Sequence, residues 1–295
     1  MKLFYMSKLG LGTAQFGLDY GIANRSGQIK FSDAKNILQL AKQEKIDLID
    51  TAILYGKSEK IIGNIGITDF KFVSKLPNLP IDNENIESWV EDNVQRSLTQ
   101  LGIKSLYGLL LHRSENLLGK SGKKLIDVLK KIKASGLIKN IGISIYDPSE
   151  LNKVMHLTKI DIVQAPLNII DRRLEISGWL STLHKKKVEI HSRSVFLQGL
   201  LLMPYNKVPS KFDKWLRILK RWSLNLKKNN LSAVEACLSY PLSLKEVDKV
   251  IVGVDSLDQF KNLIKISQDS KLKQDWSFMI SNDQMLINPS NWSRL

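Results

Sequence analysis

Four polar residues of different kinds stand where short apolar runs end. Asp50 follows Leu48-Ile49, with Tyr55 just beyond it. Lys75 follows Phe72-Val73-Ser74, and His112 follows the run 107–111. Their chemistries complement one another. A phenol titrates near 10 and is a poor acid at neutral pH. An ammonium beside it stabilises the phenolate and lowers that pKa, and a carboxylate beside the lysine keeps the lysine charged and placed. A neutral imidazole can orient a carbonyl. Together the four would make a proton donor aimed at a carbonyl oxygen as negative charge develops there. No side chain supplies hydride, so carbonyl reduction at such a site needs a cofactor. Each residue also has an ordinary alternative: His112 as a satisfied histidine, Asp50-Thr51 as a helix cap, Lys75 as a solvated cation, Tyr55 as a rim aromatic. Their coincidence at neighbouring strand ends favours a site.

Convergence needs a scaffold that sets consecutive strand ends side by side. The chain alternates short apolar runs with longer helical patterns. Runs at 9–13, 48–50, 72–75, 107–111, 140–144, 162–165, 188–191 and 250–253 read as strands. Between them, Ala34, Ile37, Leu38 and Ala41 share one helix face, with Ser32 as the expected N-cap. Ile86, Trp89, Val90, Val94, Leu98 and Leu101 mark a helix stopped by Gly102. Leu125, Leu129 and Ile132 mark another, stopped by Gly136. A helix over 148–157 opens with Pro148, and the last begins at Leu257. Short runs bounded by helices read as a parallel sheet covered on both faces. Eight such units in 295 residues predict an α/β fold closed into a single-domain (β/α)8 TIM barrel over 1–295, rather than an open doubly wound sheet. The segment around 200–230 is longer than a crossover needs and reads as an elaborated loop. The tail after Lys271 reads as an extension near the barrel mouth or bottom. In such a barrel chemistry sits at the C-terminal ends of the strands, where the four residues stand.

Composition removes several function classes. A hydrophobic fraction of 43% with 25% charged residues is that of a globular chain. Lys plus Arg is 44 and Asp plus Glu 29, a net charge of +15. The lysines are scattered, and the runs at 123–124 and 130–133 fall on the outer face of an expected amphipathic helix. No nucleic-acid motif accompanies them, so no nucleic-acid partner is expected. No apolar run approaches the roughly 20 residues of a membrane span. The first ten residues lack the pattern of a signal peptide. A single cysteine, Cys237, excludes an internal disulfide and fits a reducing cytosol, so a cytoplasmic location is expected. Its apolar helical context reads as core. The histidines and the cysteine show no metal-ligand spacing, so no metal site is expected. Gly10-Leu11-Gly12 with Gly17 departs from the G-x-G-x-x-G spacing of a dinucleotide loop.

The stretch Asp50-Thr51-Ala52-Ile53-Leu54-Tyr55-Gly56-Lys57-Ser58-Glu59 resembles the D-T-A-x-x-Y-G-x-S-E segment of the aldo/keto reductase superfamily. Lys75 and His112 follow in that family's order. The resemblance extends from Gly10-Leu11-Gly12-Thr13 to Val252-Gly253. It implies a (β/α)8 barrel that binds NADPH, sometimes NADH, without a Rossmann domain, and that reduces carbonyls. In those terms Tyr55 is the general acid and base, Lys75 tunes its pKa, Asp50 pairs with Lys75, and His112 orients the substrate.

The same resemblance implies a cofactor-binding set. Thr13, Asp50 and Gly253 belong to it. Ser144 and Gln164 match positions that hold the nicotinamide carboxamide, with Ile145 where asparagine is common. Arg193 stands where a tyrosine usually stacks on the nicotinamide; a guanidinium can stack on a planar ring too. Ser194, Phe196 and Gly199 match pyrophosphate-contacting positions. Gln259 matches a cofactor contact, or closes a capping box with Ser256, and the two are compatible. Asp255 falls in a loop that commonly carries Lys or Arg for the 2′-phosphate; an aspartate would repel phosphate and suit a ribose hydroxyl. NADP therefore follows from the resemblance, and NAD from the residue.

The opening 12–21 is similar to aldo/keto reductases often found with bacterial surface-polysaccharide genes. That implies a small carbonyl substrate of the sugar or nucleotide-linked keto-sugar class. Phe16, Tyr20 and Leu54 read as apolar walls of the pocket or as barrel-mouth packing. Two other readings stand beside a reductase. One is a dinucleotide-binding regulatory subunit, as some relatives are for ion channels. The other is an aldolase-type barrel with Lys75 forming a Schiff base.

Overall fold

Eight parallel strands close into a barrel in chain order in the computed structural model: β1 (Leu9–Gly12), β2 (Leu48–Asp50), β3 (Lys71–Leu76), β4 (Leu106–Leu111), β5 (Ile138–Ser144), β6 (Ile162–Pro166), β7 (Glu189–Arg193) and β8 (Lys249–Val252). The ring shuts where β8 pairs with β1, through Leu9 opposite Val250 and Leu11 opposite Val252. The structure describes residues 7–80, 85–269 and 275–295. The first six residues and the Lys271 boundary, both used above, lie outside these.

Helices carry the chain back between strands. After β1 come α1 (Ala14–Gly17) and α2 (Phe31–Gln43), after β2 α3 (Ser58–Ile65), after β3 α4 (Ile86–Leu101), after β4 α5 (Gly119–Ala134) and after β5 α6 (Ser149–Val154). The β6–β7 crossover holds α7 (Arg173–Ile176) and α8 (Trp179–Lys185), and the β7–β8 crossover α9 (Leu216–Lys228) and α10 (Ala233–Ser243). The last crossover helix is α11 (Leu257–Asp269). Gly102 ends α4 in the left-handed region (φ 67°), which a glycine enters without steric penalty. Two ends differ from expectation. Ser32 does not cap α2: the helix opens two residues earlier, with Lys30 extended at the cap position. The helix after β5 stops at Val154, and Pro148 occupies its cap position.

Apolar side chains of the sheet's outer face and of the helices form one large core. A second, small cluster of Leu48, Val73, Leu110, Ile162 and Ile251 fills the barrel's interior. Strand glycines make room for it: a Cβ on Gly10 would lie 2.6 Å from Ile251 Cδ1, and one on Gly108 2.8 Å from Ile162 Cδ1. The segment after β7 passes through short 3-10 turns, including Ser210–Trp215, before α9. The C-terminal residues pack back on that segment. The Trp292 and Phe212 rings are 4.9 Å apart, edge to face, and Lys211 Nζ donates to the Trp292 carbonyl. No helix among the described residues is long and apolar enough to cross a membrane.

Candidate active site

Strand alternation builds the site. Side chains two residues apart point the same way, so the residues two beyond the interior layer also face inward. Leu48 leads to Asp50, Val73 to Lys75, Leu110 to His112 and Ile162 to Gln164. The same step leads from Gly142 to Ser144 and from Ile251 to Gly253. These residues line a cavity of about 580 Å³ at the C-terminal strand ends. Its wall includes Thr13, Tyr20, Asp50, Tyr55, Lys75, His112, Ser144, Gln164, Arg193, Ser194, Phe196, Gly199, Gly253, Asp255 and Gln259. Two expected wall residues are not there. Phe16 is fully buried in the main core, because α1 turns its ring inward under the loop. Leu54 is 55% exposed, on an irregular loop where alternation no longer fixes direction.

Lys75 is 1% exposed and Asp50 3%. Lys75 Nζ lies 2.7 Å from each Asp50 oxygen and 2.9 Å from the Thr51 carbonyl, which uses its three N–H groups. Gln164 Nε2 donates to Asp50 Oδ1 at 2.7 Å, so its amide is held by Asp50. Burial pulls Lys75 below the usual lysine range, and Asp50 pulls part of that back. The Tyr55 ring sits 5.2 Å from Lys75 Nζ and meets the His112 ring edge-on at 6.4 Å. Its hydroxyl makes no hydrogen bond among the described residues. Burial first, and the Asp50 charge second, push the phenol well above its ordinary pKa. The positive charge of Arg193 works against that shift. The phenol is therefore protonated at neutral pH.

His112 is pushed down to about 4 by burial, then by the positive charges of Lys75 and Arg193. Its Nδ1 is buried without a partner, so the ring is neutral at neutral pH. A folded-state pKa of about 4 against an ordinary 6.5 means the unfolded chain takes the proton first. Its contribution is intact above the ordinary value and is lost as pH falls from 6.5 toward 4. A His112→Gln variant should lose less stability than the parent between about pH 7 and about pH 5, read by urea melts. Equal losses would show that His112 is not buried neutral.

The Tyr55 loop is clamped by backbone packing. A Cβ on Gly17 would meet the Tyr55 carbonyl oxygen at 1.8 Å, and one on Gly56 the Gly17 oxygen at 2.4 Å. The Ser58 hydroxyl lies 2.9 Å from both the carbonyl oxygen and the Oγ1 of Thr13. Thr13 Oγ1 in turn donates to the Asp50 carbonyl. Serine and glycine in this segment therefore fasten the loop to β1 and α1. A Gly17→Ala variant should shift Tyr55, lose on the order of 10²-fold in turnover, and lose about 1–3 kcal/mol of stability. Turnover and a thermal melt check it; a variant with parental values of both would mean the loop is free to move.

At the other end of the cavity, Gln259 Oε1 accepts the Asp255 N–H at 2.8 Å and the Gln259 N–H donates to Ser256 Oγ at 3.2 Å. This is a capping box shifted by one residue, and Gln259 still lines the cavity. Burial holds the Asp255 carboxyl above the usual range, against hydrogen bonds with Gln259 and Gln15. One wall is a bent segment in which Ser194, Leu197, Gln198 and Gly199 all have positive φ. Its Gln198 carbonyl accepts the Ile22 N–H, and its Gln198 amide donates to the Tyr20 hydroxyl. Sequence reasoning missed Gln15, Tyr146, Gln198, Asn262, Pro289 and Ser290, which also line the cavity. Tyr146 was findable, two residues beyond Ser144. Pro289 and Ser290 arrive from the C-terminal segment and leave no periodic signal.

No group of three or more His, Cys, Asp or Glu among the described residues could hold a metal. Cys237 is buried in α10, and burial pushes its thiol far above the ordinary range, so it is core rather than nucleophile.

Comparison with known proteins agrees with this architecture. The chain is 25% identical to an uncharacterised oxidoreductase, YqkF, of Bacillus subtilis (strain 168), over 92% of this chain and 94% of that protein. It is 24% identical to an aldo-keto reductase of Gibberella moniliformis, over 72% of this chain and 67% of that one. Among solved structures, the holo form of the aldo-keto reductase AKR11C1 from Bacillus halodurans superposes with a TM-score of 0.72 at 21% identity, covering 93% of this chain and 90% of that one. The family model described as "Aldo/keto reductase family" matches residues 8–279. The closed barrel, the strand-end site and this match over nearly the whole chain place the protein in the aldo/keto reductase family.

Proposed function

We propose that this chain interconverts a carbonyl and an alcohol with a nicotinamide dinucleotide, and that Tyr55 moves the proton. The observation that carries the reading is a partner-free, protonated phenol beside a buried Lys75–Asp50 pair and a neutral imidazole. The residues fit a dinucleotide. The cavity has the size of a cofactor pocket. Ser144 and Gln164 line its catalytic end and Ser194 and Phe196 the bent wall, and the cavity runs on to Asp255, Gln259 and Asn262. When bound, the nicotinamide supplies the hydride that no side chain here can.

The chain supplies the rest. Tyr55 gives its proton to the substrate oxygen as the C=O π pair moves onto that oxygen. The phenolate left behind sits 5.2 Å (ring centroid) from the Lys75 ammonium, whose charge Asp50 keeps in place. His112, uncharged, orients the carbonyl without competing as an acid. In the oxidative direction the same groups run in reverse. The aldolase reading fits less well. The Lys75 nitrogen is hydrogen-bonded three times and paired with a carboxylate, and an ammonium has no lone pair to attack a carbonyl.

The residues also bear on which dinucleotide. The resemblance implies NADP. Yet Lys75 and Arg193 are the only cations on the described cavity wall, both at the catalytic end, and Asp255 is a carboxylate at the other. A 2′-phosphate beside Asp255 meets like charge, whereas a ribose hydroxyl can donate to it. This supports NAD. Titration of tryptophan fluorescence with NADH and NADPH separately tests both levels. NADH should bind at least about tenfold more tightly, and Asp255→Ser should narrow the gap. Tighter NADPH binding overturns the preference, and binding of neither overturns the reductase reading. Turnover on a carbonyl panel that includes keto-sugars separates an enzyme from a regulatory subunit.

A further inference from the structure

Two arginines crowd one tyrosine beside the catalytic groups. Arg193 ends β7 and lines the cavity, as does Tyr146. The Arg193 guanidinium carbon lies 4.6 Å from the Tyr146 ring centroid, and that of Arg113, the residue after His112, lies 4.2 Å from it. Such stacking holds a guanidinium rigid without neutralising it.

Neither arginine has a carboxylate partner among the described residues. Arg193 donates to the Ser194 hydroxyl at 3.1 Å and to the Ile145 carbonyl at 2.9 Å, both uncharged. The nearby carboxylates are taken. Asp50 holds Lys75, and Asp147 and Asp171 hold Arg173. Glu150 accepts the backbone N–H groups of Tyr146 and Asp147 and the Ser114 hydroxyl. Once Lys75 and Asp50 cancel, the catalytic end keeps a net positive charge, with a planar guanidinium on the cavity wall that has N–H groups to spare. That fork matches a carboxylate or a phosphate.

We propose that Arg193, steadied by Tyr146 and Arg113, recognises an anionic group of the carbonyl substrate, so that this enzyme works on carbonyl compounds carrying a carboxylate or a phosphate. The proposal rests on the reductase reading and narrows it. It gives Arg193 a role toward substrate rather than toward the nicotinamide ring.

The test uses substrate pairs matched in skeleton and differing in charge: 4-carboxybenzaldehyde against 4-nitrobenzaldehyde, and glyceraldehyde 3-phosphate against glyceraldehyde. The parent enzyme should favour a charged member by about 10- to 100-fold in kcat/KM, mostly through KM. The carboxylate and phosphate pairs distinguish the two kinds of anion. Arg193→Gln should erase that preference, lowering kcat/KM for the charged members by at least about tenfold more than for the neutral ones, and Arg193→Lys should keep part of it. Dinucleotide affinity, read by tryptophan fluorescence, should stay within about threefold of the parent. A loss that falls equally on charged and neutral members overturns the proposal. So does weakened dinucleotide binding with unchanged substrate selectivity, which would assign Arg193 to the cofactor. Binding the non-reducible pair 4-carboxybenzamide and benzamide to the dinucleotide complex gives the same comparison without turnover, and equal affinities there overturn the proposal as well. If the parent binds no dinucleotide at all, the reductase reading itself has failed, and that titration shows it before any substrate is added.

Discussion

A Tyr55→Phe enzyme should turn over on the order of 10³-fold more slowly, or worse, and still bind its dinucleotide as tightly as the parent. The substitution removes one oxygen. That oxygen makes no hydrogen bond among the described residues, while the ring it hangs from stays packed edge-on to His112. Folding therefore has little to lose, and a thermal melt should place the variant within about 0.5 kcal/mol of the parent. The parent phenol is protonated at neutral pH with or without its upward shift. At neutral pH it is loaded with the proton that carbonyl reduction consumes. Steady-state rates with a saturating dinucleotide give the comparison, and a Tyr55→Phe enzyme with parental turnover would end the proton-transfer role.

The second large effect is on Lys75. Replacing it with Met strands Asp50, 3% exposed, with Gln164 as its remaining side-chain partner. Removing one member of a buried ion pair typically costs about 3–5 kcal/mol, because the survivor keeps a desolvated charge. For a chain of this size that is a fall of roughly 10 °C in melting temperature. Replacing both members, Lys75→Met with Asp50→Asn, removes the stranded charge and should recover most of the stability. It should not recover turnover, because the phenolate that Tyr55 becomes would still lack the Lys75 ammonium 5.2 Å from its ring. Stability that returns while activity does not assigns the pair to chemistry as well as to packing. If single and double variants melt alike, Asp50 is better solvated than its burial indicates.

Much of this site was legible because a barrel converts sequence periodicity into direction. Once 48–50, 72–75 and 107–111 are read as strands, the polar residue at or just past each end must share a face with the apolar residue two before it. Asp50, Lys75 and His112 then fall together without knowledge of any distance. Phe16 and Leu54 escape that rule. They lie in a one-turn helix and an irregular loop, where direction comes from tertiary packing. The same reason hid the stack of Arg113 and Arg193 on Tyr146, since β4, β5 and β7 meet there only after closure. The net direction of the Tyr55 shift was hidden for another reason. Residue types put a lysine near a phenol, but they do not show the burial that outweighs nearby cations and raises the phenol's pKa. Ser32 failed as a cap because α2 gained two residues at its start, a shift within the ordinary fraying of helix ends.

The joint between β1 and β8 is made by the first and last strands of the barrel, and Gly12 and Thr13 on one side and Val252 and Gly253 on the other line the cavity. A molecule lying there touches both sides of the joint, so its occupancy is linked to whether the ring stays shut. By mass action, a dinucleotide at a hundredfold excess over its dissociation constant adds about 2.7 kcal/mol to the closed form. Amide exchange in β1 and β8 should slow more than in β4 and β5 when the ligand is added, and limited proteolysis should slow with it. On the proposed reading, the supply of dinucleotide would then set both how fast this chain turns over substrate and how long it survives a protease.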